Sequence, residues 1–382
     1  MRKTGLSKLR KLTAVIMAAV VMLGIASRLE RKVMASGDFK TTISAGAYNA
    51  MAIKTDGSLW GWGANKYGQL GDGTYKSSST PIKVMSDVAL VSTSGIHTMA
   101  IKTDGSLWGW GDNSWGQLAG TTEQRSPIIK IMDDVVAVST RAYNTMVIKK
   151  DGSLWGWGEA GQGQLGNGTY FKNSLNPIKI MEDVTAVSVG SQYIMAIKTD
   201  GSLWGWGYNQ HGELGDETTS SRSTPMKIME GVAAVCAGEQ HTMAIKTDGS
   251  LWGWGYNEYG QLGNGTVSSD SNPTPIKIME GVAAVSAGDK HTMAIKTDGS
   301  LWGWGYNEHG QLGNGTTTDS SMPLKIMEGV KAVSVGGLHT IAIKTDGSLW
   351  SWGNNWDGQL GNGSKIASLT PIKIIDGVMQ PN

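Results

Sequence analysis

Cysteine occurs once in these 382 residues and phenylalanine twice, and each scarcity excludes something. A lone Cys236 allows no disulfide framework, no redox pair and no cysteine-based zinc pattern within one chain. It stands where other copies of an internal repeat carry serine (Ser286, Ser334), so it reads as a tolerated substitution and not as a nucleophile. Two phenylalanines beside 16 tryptophans and 54 glycines are a poor recipe for a general globular core; such bias points to one short pattern copied many times. Helical periodicity is absent from the body of the chain, and no long apolar run follows residue 25. Nothing beyond that point is therefore expected to span a membrane.

The single apolar run, residues 12–25, follows a stretch that carries Arg2, Lys3, Lys8, Arg10 and Lys11 without an acid. It is shorter than the roughly 20 residues a membrane helix needs, and small residues follow at Ala26 and Ala35. The layout predicts a signal peptide over residues 1–35 and export to the cell envelope or beyond. Without that leader the body holds 25 basic against 31 acidic residues, net −6. Nucleic-acid binding requires a concentrated basic surface, so it is not expected.

What is abundant is a repeat. Asp-Gly-Ser-Leu-Trp begins at Asp56, Asp104, Asp151, Asp200, Asp248, Asp298 and Asp346, in steps of 48, 47, 49, 48, 50 and 48 residues. In the fifth copy, alternating segments at 232–237, 241–246, 251–255 and 275–279 are separated by Gly, Asn, Asp and Pro, the pattern of four short strands. Asp248-Gly249 reads as a tight hairpin turn, since glycine accepts a positive φ, and its aspartate is a turn residue and not an acid catalyst. Trp252 and Trp254 project from one face of the third strand while Gly253 and Gly255 leave the other bare, which invites stacking of copy on copy. Fourteen of the 16 tryptophans occupy this position. The expected architecture is all-β: a seven-bladed β-propeller of four-stranded antiparallel blades over residues 36–382. Residues 39–46 (FKTTISAG) align with the segment that opens the fifth copy, and are expected to complete the last blade, so that N- and C-terminal strands share one sheet and close the ring.

The segment HTMAIKTDGSLWGWGYNEYGQLGNGT (241–266) resembles the repeat of the regulator-of-chromosome-condensation family, and the likeness runs from about residue 38 to 376. The resemblance implies a seven-bladed propeller and much less about function. Eukaryotic members include a nuclear, chromatin-bound guanine-nucleotide exchange factor; that activity is not carried over to a chain with an export leader and no basic tail. A secreted bacterial propeller that inhibits β-lactamases is nearer in setting, but the fold is what is shared.

Chemistry is hard to find. No nucleophile elbow, H-E-x-x-H or Walker loop occurs, and G-W-G-x-x-x-x-G opens no helix. His97, His241, His291 and His339 share one repeat position that elsewhere holds Asn49, Asn144 and Tyr193, so a hydrogen bond from strand to loop is expected there and not a metal. Asn167, Asn264 and Asn314 in Asn-Gly-Thr loops read as turn residues without the carboxylates calcium needs. No catalytic, cofactor-binding or metal-binding residue is assigned.

Binding is the better reading, because the loops sort by side. The Lys-Thr-Asp-Gly hairpins and Met-Glu-Gly-Val links share a monotonous face; the other two connections of each copy share a variable one. Aromatic and apolar residues there point to a protein-binding patch of Tyr48, Tyr67, Ile96, Trp115 and Tyr143, with Leu338 and Trp356 at its edge, on blades seven, one, two and three. The expectation is an exported, monomeric, non-enzymatic scaffold for a protein partner. Inhibition of a secreted or periplasmic enzyme, or carbohydrate binding, is the alternative.

Overall fold

The computed structural model describes residues 42–381 apart from Thr121 and Glu123. The expected leader at residues 1–35 and the first part of the expected opening strand, residues 39–41, lie outside the described residues. Seven four-stranded antiparallel sheets follow one another, each from four consecutive strands. The first comprises β1 (Ile43–Ala45), β2 (Asn49–Ile53), β3 (Leu59–Gly63) and β4 (Ser78–Met85); the others span residues 88–132, 135–181, 184–229, 232–279, 282–327 and 330–375. Innermost strands line a central channel of about 210 Å³.

The hairpin after β2 shows why Asp-Gly-Ser recurs. Gly57 takes φ 77°, and Asp56 Oδ1 accepts the Ser58 N–H at 2.9 Å and its hydroxyl at 2.5 Å. Those two donors hold the Asp56 carboxyl below its ordinary range. The Ser58 hydroxyl accepts in turn from Trp60 Nε1 at 2.8 Å, and Lys54 Nζ lies 4.5 Å from the centre of that indole. All seven aspartates are held this way, which makes them the turn residues the sequence predicts.

The two tryptophans of each W-G-W do different jobs, a distinction the strand alternation alone does not reveal. The first is half-buried on its own hairpin. The second is fully buried, and its indole N–H donates to a backbone carbonyl of the preceding blade, the Gln or Glu of G-Q/E-L: Trp110 to Gln69 at 2.9 Å, Trp254 to Glu213 at 2.8 Å, and Trp62 across the ring junction to Gln359 at 2.9 Å. Its ring lies against the glycine two residues further on. A Cβ on Gly71 would stand 2.7 Å from Trp110 Nε1, and at the one blade without that glycine, Ala119 adopts φ 67°. Blade seven carries Ser351 between its tryptophans, and the latch is unchanged.

A second ring of bonds runs round the channel. In every blade a side chain of the innermost strand accepts the backbone N–H of the next blade: Ser44 from Thr93 at 3.0 Å, Ser188 from Ala237 at 2.9 Å, and Ser334 from Ala45 at 2.9 Å. Cys236 takes the serine's place, accepting from Ala287 at 3.2 Å. Its thiol is a structural acceptor, and burial pushes its pKa up.

The termini do share a sheet, but in the first blade and not the last. The last blade is complete in its own four strands, and β1 pairs with β2. What crosses is the C-terminal tail: Val378 bridges Lys54, and Met379 N–H donates to Ile53 at 2.9 Å. Val378 thus fills in blade one the position of Val88 opposite Lys102 in blade two. The register of residues 39–46 with 232–238 already places them at the start of a blade. In blade five the third and fourth strands also run longer than their hydrophobic patterns predict, Leu251–Asn257 and Ser268–Met279, because the ladder continues to Asn257 opposite Ser268. Outermost strands carry a proline each (Pro81, Pro127, Pro177, Pro225, Pro275, Pro323, Pro371), which removes a donor from edges that would otherwise template pairing with another chain.

Two outcomes follow. Trp254→Ala should destabilise the ring by about 3–5 kcal/mol through the cavity it leaves, and Trp252→Ala, on a half-exposed ring, by about 1–2 kcal/mol; urea unfolding of both variants checks the order. Glu213, the one acid among six latch glutamines, is fully buried, and burial pushes its pKa up to about 7. A carboxyl raised in the folded state costs nothing below the unfolded value near 4.5 and loses stability as pH climbs to 7. Glu213→Gln should therefore match the parent at pH 4.5 and exceed it by about 3 kcal/mol at pH 8, and equal curves at both pH values would refute the buried acid.

Candidate binding face

On the face opposite the hairpins, each blade presents the loop between its first two strands and the longer loop between its last two. The longer loop is built from within. Asn257 Oδ1 accepts Leu262 N–H at 3.0 Å, and its Nδ2 donates to Thr266 O at 3.1 Å. Asn264 Oδ1 accepts from both Thr266 N at 3.2 Å and its hydroxyl at 2.9 Å, so the Asn-Gly-Thr segments are turns.

Three of the four recurring histidines join blade to blade and not merely strand to loop; His339, whose next blade carries Ala50 in place of the threonine, makes neither bond. His97, His241 and His291 reach through Nε2 to Thr145, Thr292 and Thr340 of the next blade at 3.2, 2.9 and 3.0 Å. Each threonine hydroxyl already donates its hydrogen to a latch carbonyl, so it accepts here and Nε2 carries the proton. Burial drives these three histidines down to about 3, and they stay neutral. Only His97 also meets its own loop, at Ser94 Oγ 2.9 Å from Nδ1. Asn49 and Tyr193 make related links, to Thr93 at 2.9 Å and to His241 O at 2.7 Å. Asn144 turns back to Glu159 O.

Side chains outside these duties differ from blade to blade. Of the seven expected contact residues, Tyr48 (46% exposed), Trp115 (41%), Tyr143 (37%) and Trp356 (62%) are exposed, and Tyr67, Ile96 and Leu338 are half-buried. Trp115 and Tyr143 are brought together across blades two and three, ring centres 5.6 Å apart. Trp356 is not part of that pair; it meets His309 of blade six at 5.0 Å.

That contact ends a longer aromatic series which the sequence patch does not include. Tyr208, His211 and Tyr256 stand in contact across blades four and five, with His211–Tyr256 at 4.8 Å. Tyr259, Tyr306, His309 and Trp356 continue across blades five to seven, with Tyr259–Tyr306 at 5.0 Å. Tyr208, Tyr256 and Tyr306 follow W-G-W-G directly, and their threefold recurrence disguises them as framework. The alternative residues at that position, Ala64, Asp112, Glu159 and Asn354, are the available signal.

Charge is also uneven. Arg141, where five other blades carry glycine and one Ser94, reaches across the mouth of the channel to Asp289 at 2.6 Å and toward the carbonyls of Ala237 and Ala287. Among the described residues no group of three or more His, Cys, Asp or Glu side chains could hold a metal ion.

Comparison with known proteins agrees with this geometry. A family model described as the regulator of chromosome condensation (RCC1) repeat matches residues 56–101, 151–197, 200–245, 248–295, 298–343 and 346–379, and a second of the same description matches six further, overlapping stretches between 41 and 359. The ultraviolet-B receptor UVR8 of Arabidopsis thaliana is 43% identical over 49 residues, which span 13% of this chain and 11% of the plant protein. Among solved structures, Prp20p of Saccharomyces cerevisiae, described with its binding to Gsp1p and histones, aligns at TM-score 0.77 and 20% identity over 90% of this chain and 89% of its own. Human WBSCR16 aligns at 0.72 and 24% over 79% and 86%. At these identities the likeness to solved structures is one of fold.

Because Trp115 and Tyr143 lie outside both rings of inter-blade bonds, Trp115→Ala and Tyr143→Ala should each change unfolding free energy by less than about 1 kcal/mol. Thermal melts beside Trp254→Ala test this, and a loss as large as that variant's would make the pair part of the framework.

Proposed function

The chain belongs to the regulator-of-chromosome-condensation repeat family, and from that premise we propose that it is an exported, non-enzymatic scaffold that captures a protein partner on the variable face of its propeller. The observation that carries this reading is the exposed Trp115–Tyr143 pair. Its rings serve no latch, hairpin or channel bond, and large aromatics of this kind are the usual anchors of protein interfaces. Tyr48, Tyr67 and Ile96 extend the patch toward blade one, and Leu338 and Trp356 bound it on blade seven. Binding to Gsp1p and histones is described for the yeast relative; for this chain it supports protein recognition as a class of function and names no partner. Export rests on the basic and apolar pattern of residues 1–35.

Affinity capture from the native extracellular milieu should yield a one-to-one protein complex that Trp115→Ala or Tyr143→Ala weakens by about 2 kcal/mol or more. Weak, multivalent retention on glycan arrays without a protein partner would replace the scaffold with a carbohydrate-binding module. N-terminal sequencing of the recovered protein should find processing near Ala26 or Ala35, and an intact Met1 in cytosol would overturn export.

A further inference from the structure

The variable face is divided electrically. By sequence, blades one to three carry Lys66, Lys76, Arg125, Arg141 and Lys172 on this side against Asp72, Asp112, Glu123 and Glu159, close to balance, whereas blades four to seven carry Asp216, Glu217, Glu239, Glu258, Asp289, Glu308, Asp319 and Asp357 against Arg222, Lys290 and Lys365. The acidic half is the half that bears the long aromatic series. Exposed Glu258 and Glu308 accept hydrogen bonds from Tyr256 and Tyr306, so each carboxylate is fixed beside a ring and keeps oxygen capacity for another donor.

This half already holds one ammonium group. Lys290 Nζ lies 4.5 Å from the centre of the Tyr259 ring and 5.6 Å from that of Tyr306, and donates to Tyr259 Oη at 3.3 Å. The rings are thus presented in a geometry that suits a cation. Tyr256 and Tyr306 take no part in holding the latch glutamines. In blades two and seven the residue at their position accepts from the buried latch glutamine, Gln117 to Asp112 at 3.0 Å and Gln359 to Asn354 at 2.7 Å. With Tyr256 and Tyr306 in that place the buried Nε2 atoms of Gln261 and Gln311 have no hydrogen-bond partner, as is also so for Gln164 in blade three, where Glu159 holds the position. Blades five and six present an aromatic–carboxylate pair at this position.

We propose that the arc from Tyr208 to Trp356 on blades four to seven is a docking surface for a lysine- or arginine-rich segment of a protein partner, its cations paired with Glu258 and Glu308 and seated on the exposed Trp356 ring, beside the Lys290 ammonium that already occupies Tyr259 and Tyr306. This deepens the scaffold reading and rests on it: Trp115 and Tyr143 supply apolar anchoring on one half of the face, and the arc selects the partner's charge on the other.

The test uses the whole protein and a fluorescein-labelled (Lys-Gly)6 peptide, with (Glu-Gly)6 for comparison, followed by anisotropy. The cationic peptide should bind and the acidic one should not, and binding should weaken as salt rises. The Glu258→Gln/Glu308→Gln double variant should lose about tenfold or more in affinity, and Trp356→Ala should also weaken binding. Glu230→Gln/Glu280→Gln, which removes two charges from the hairpin face, and Trp115→Ala should not. Absent binding, or equal losses in both double variants, would overturn the arc as a cationic site. So would sedimentation showing that a second copy of the chain occupies the face and excludes the peptide. A native partner captured through Trp115 but indifferent to Glu258 and Glu308 would leave the scaffold standing and remove only this inference.

Discussion

One contact organises the molecule: the second tryptophan of each W-G-W laid on a glycine of the preceding blade, its indole N–H bonded to a backbone carbonyl beside that glycine. Burial of so large a ring supplies the apolar gain, while the hydrogen bond and the bare glycine set where the ring must lie. Because the carbonyl is also reached by the threonine hydroxyl in blades that carry one, the latch fixes both strand and loop of its neighbour. The seventh such contact, Trp62 to Gln359, closes the series on itself, so the same contact that joins each pair also completes the ring.

From this follows the inequality of the two faces. The hairpin side repeats the same Asp-Ser-Trp-Lys arrangement in all seven blades, and it is consumed by its own hydrogen bonds and cation–π contacts. On the other side the latch claims the asparagine, glutamine, leucine and glycine of the long loops, with Ala160, Glu213 and Ala119 as single replacements, and leaves the residues between them free. The serine ring around the channel is likewise saturated, since each acceptor already holds the N–H of the next blade. The positions left without a framework bond on this side are the free loop residues and the pair that precedes each histidine.

Much of the fold was legible because its determinants are periodic. Seven spacings of Asp-Gly-Ser-Leu-Trp specify seven blades, and the turn chemistry of Asp56 or Asn264 can be read from neighbours two residues away. Contacts between copies were less legible. The division of labour between Trp252 and Trp254, the reach of His241 to Thr292, and the return of Val378 to Lys54 all depend on residues about 40 or more positions apart, and a repeat aligned against itself does not say which copy touches which. The candidate face was legible only in part: Trp115 and Tyr143 stand out as departures, while Tyr256 and Tyr306 look like framework until their unsatisfied glutamines are seen.

The repeat also supplies its own control. Every blade must satisfy the same latch, hairpin and channel bonds, so a residue that differs between blades at an exposed position is not demanded by any of them. Arg141 where most blades carry glycine, Trp356 where others carry Lys66, Ser114, Gly161, Gln210, Glu258 and Glu308, and Tyr256 where Asp112 and Asn354 accept from the latch glutamine are all departures of this kind. Such departures could be scattered without meaning, but here the excess of carboxylates lies with the tyrosine arc on four blades, while the three blades of Trp115 and Tyr143 are close to balance. Neutral drift on a sevenfold template has no reason to sort charge by position around the ring, whereas a partner bound off-centre across one face contacts each blade differently and gives each a different requirement.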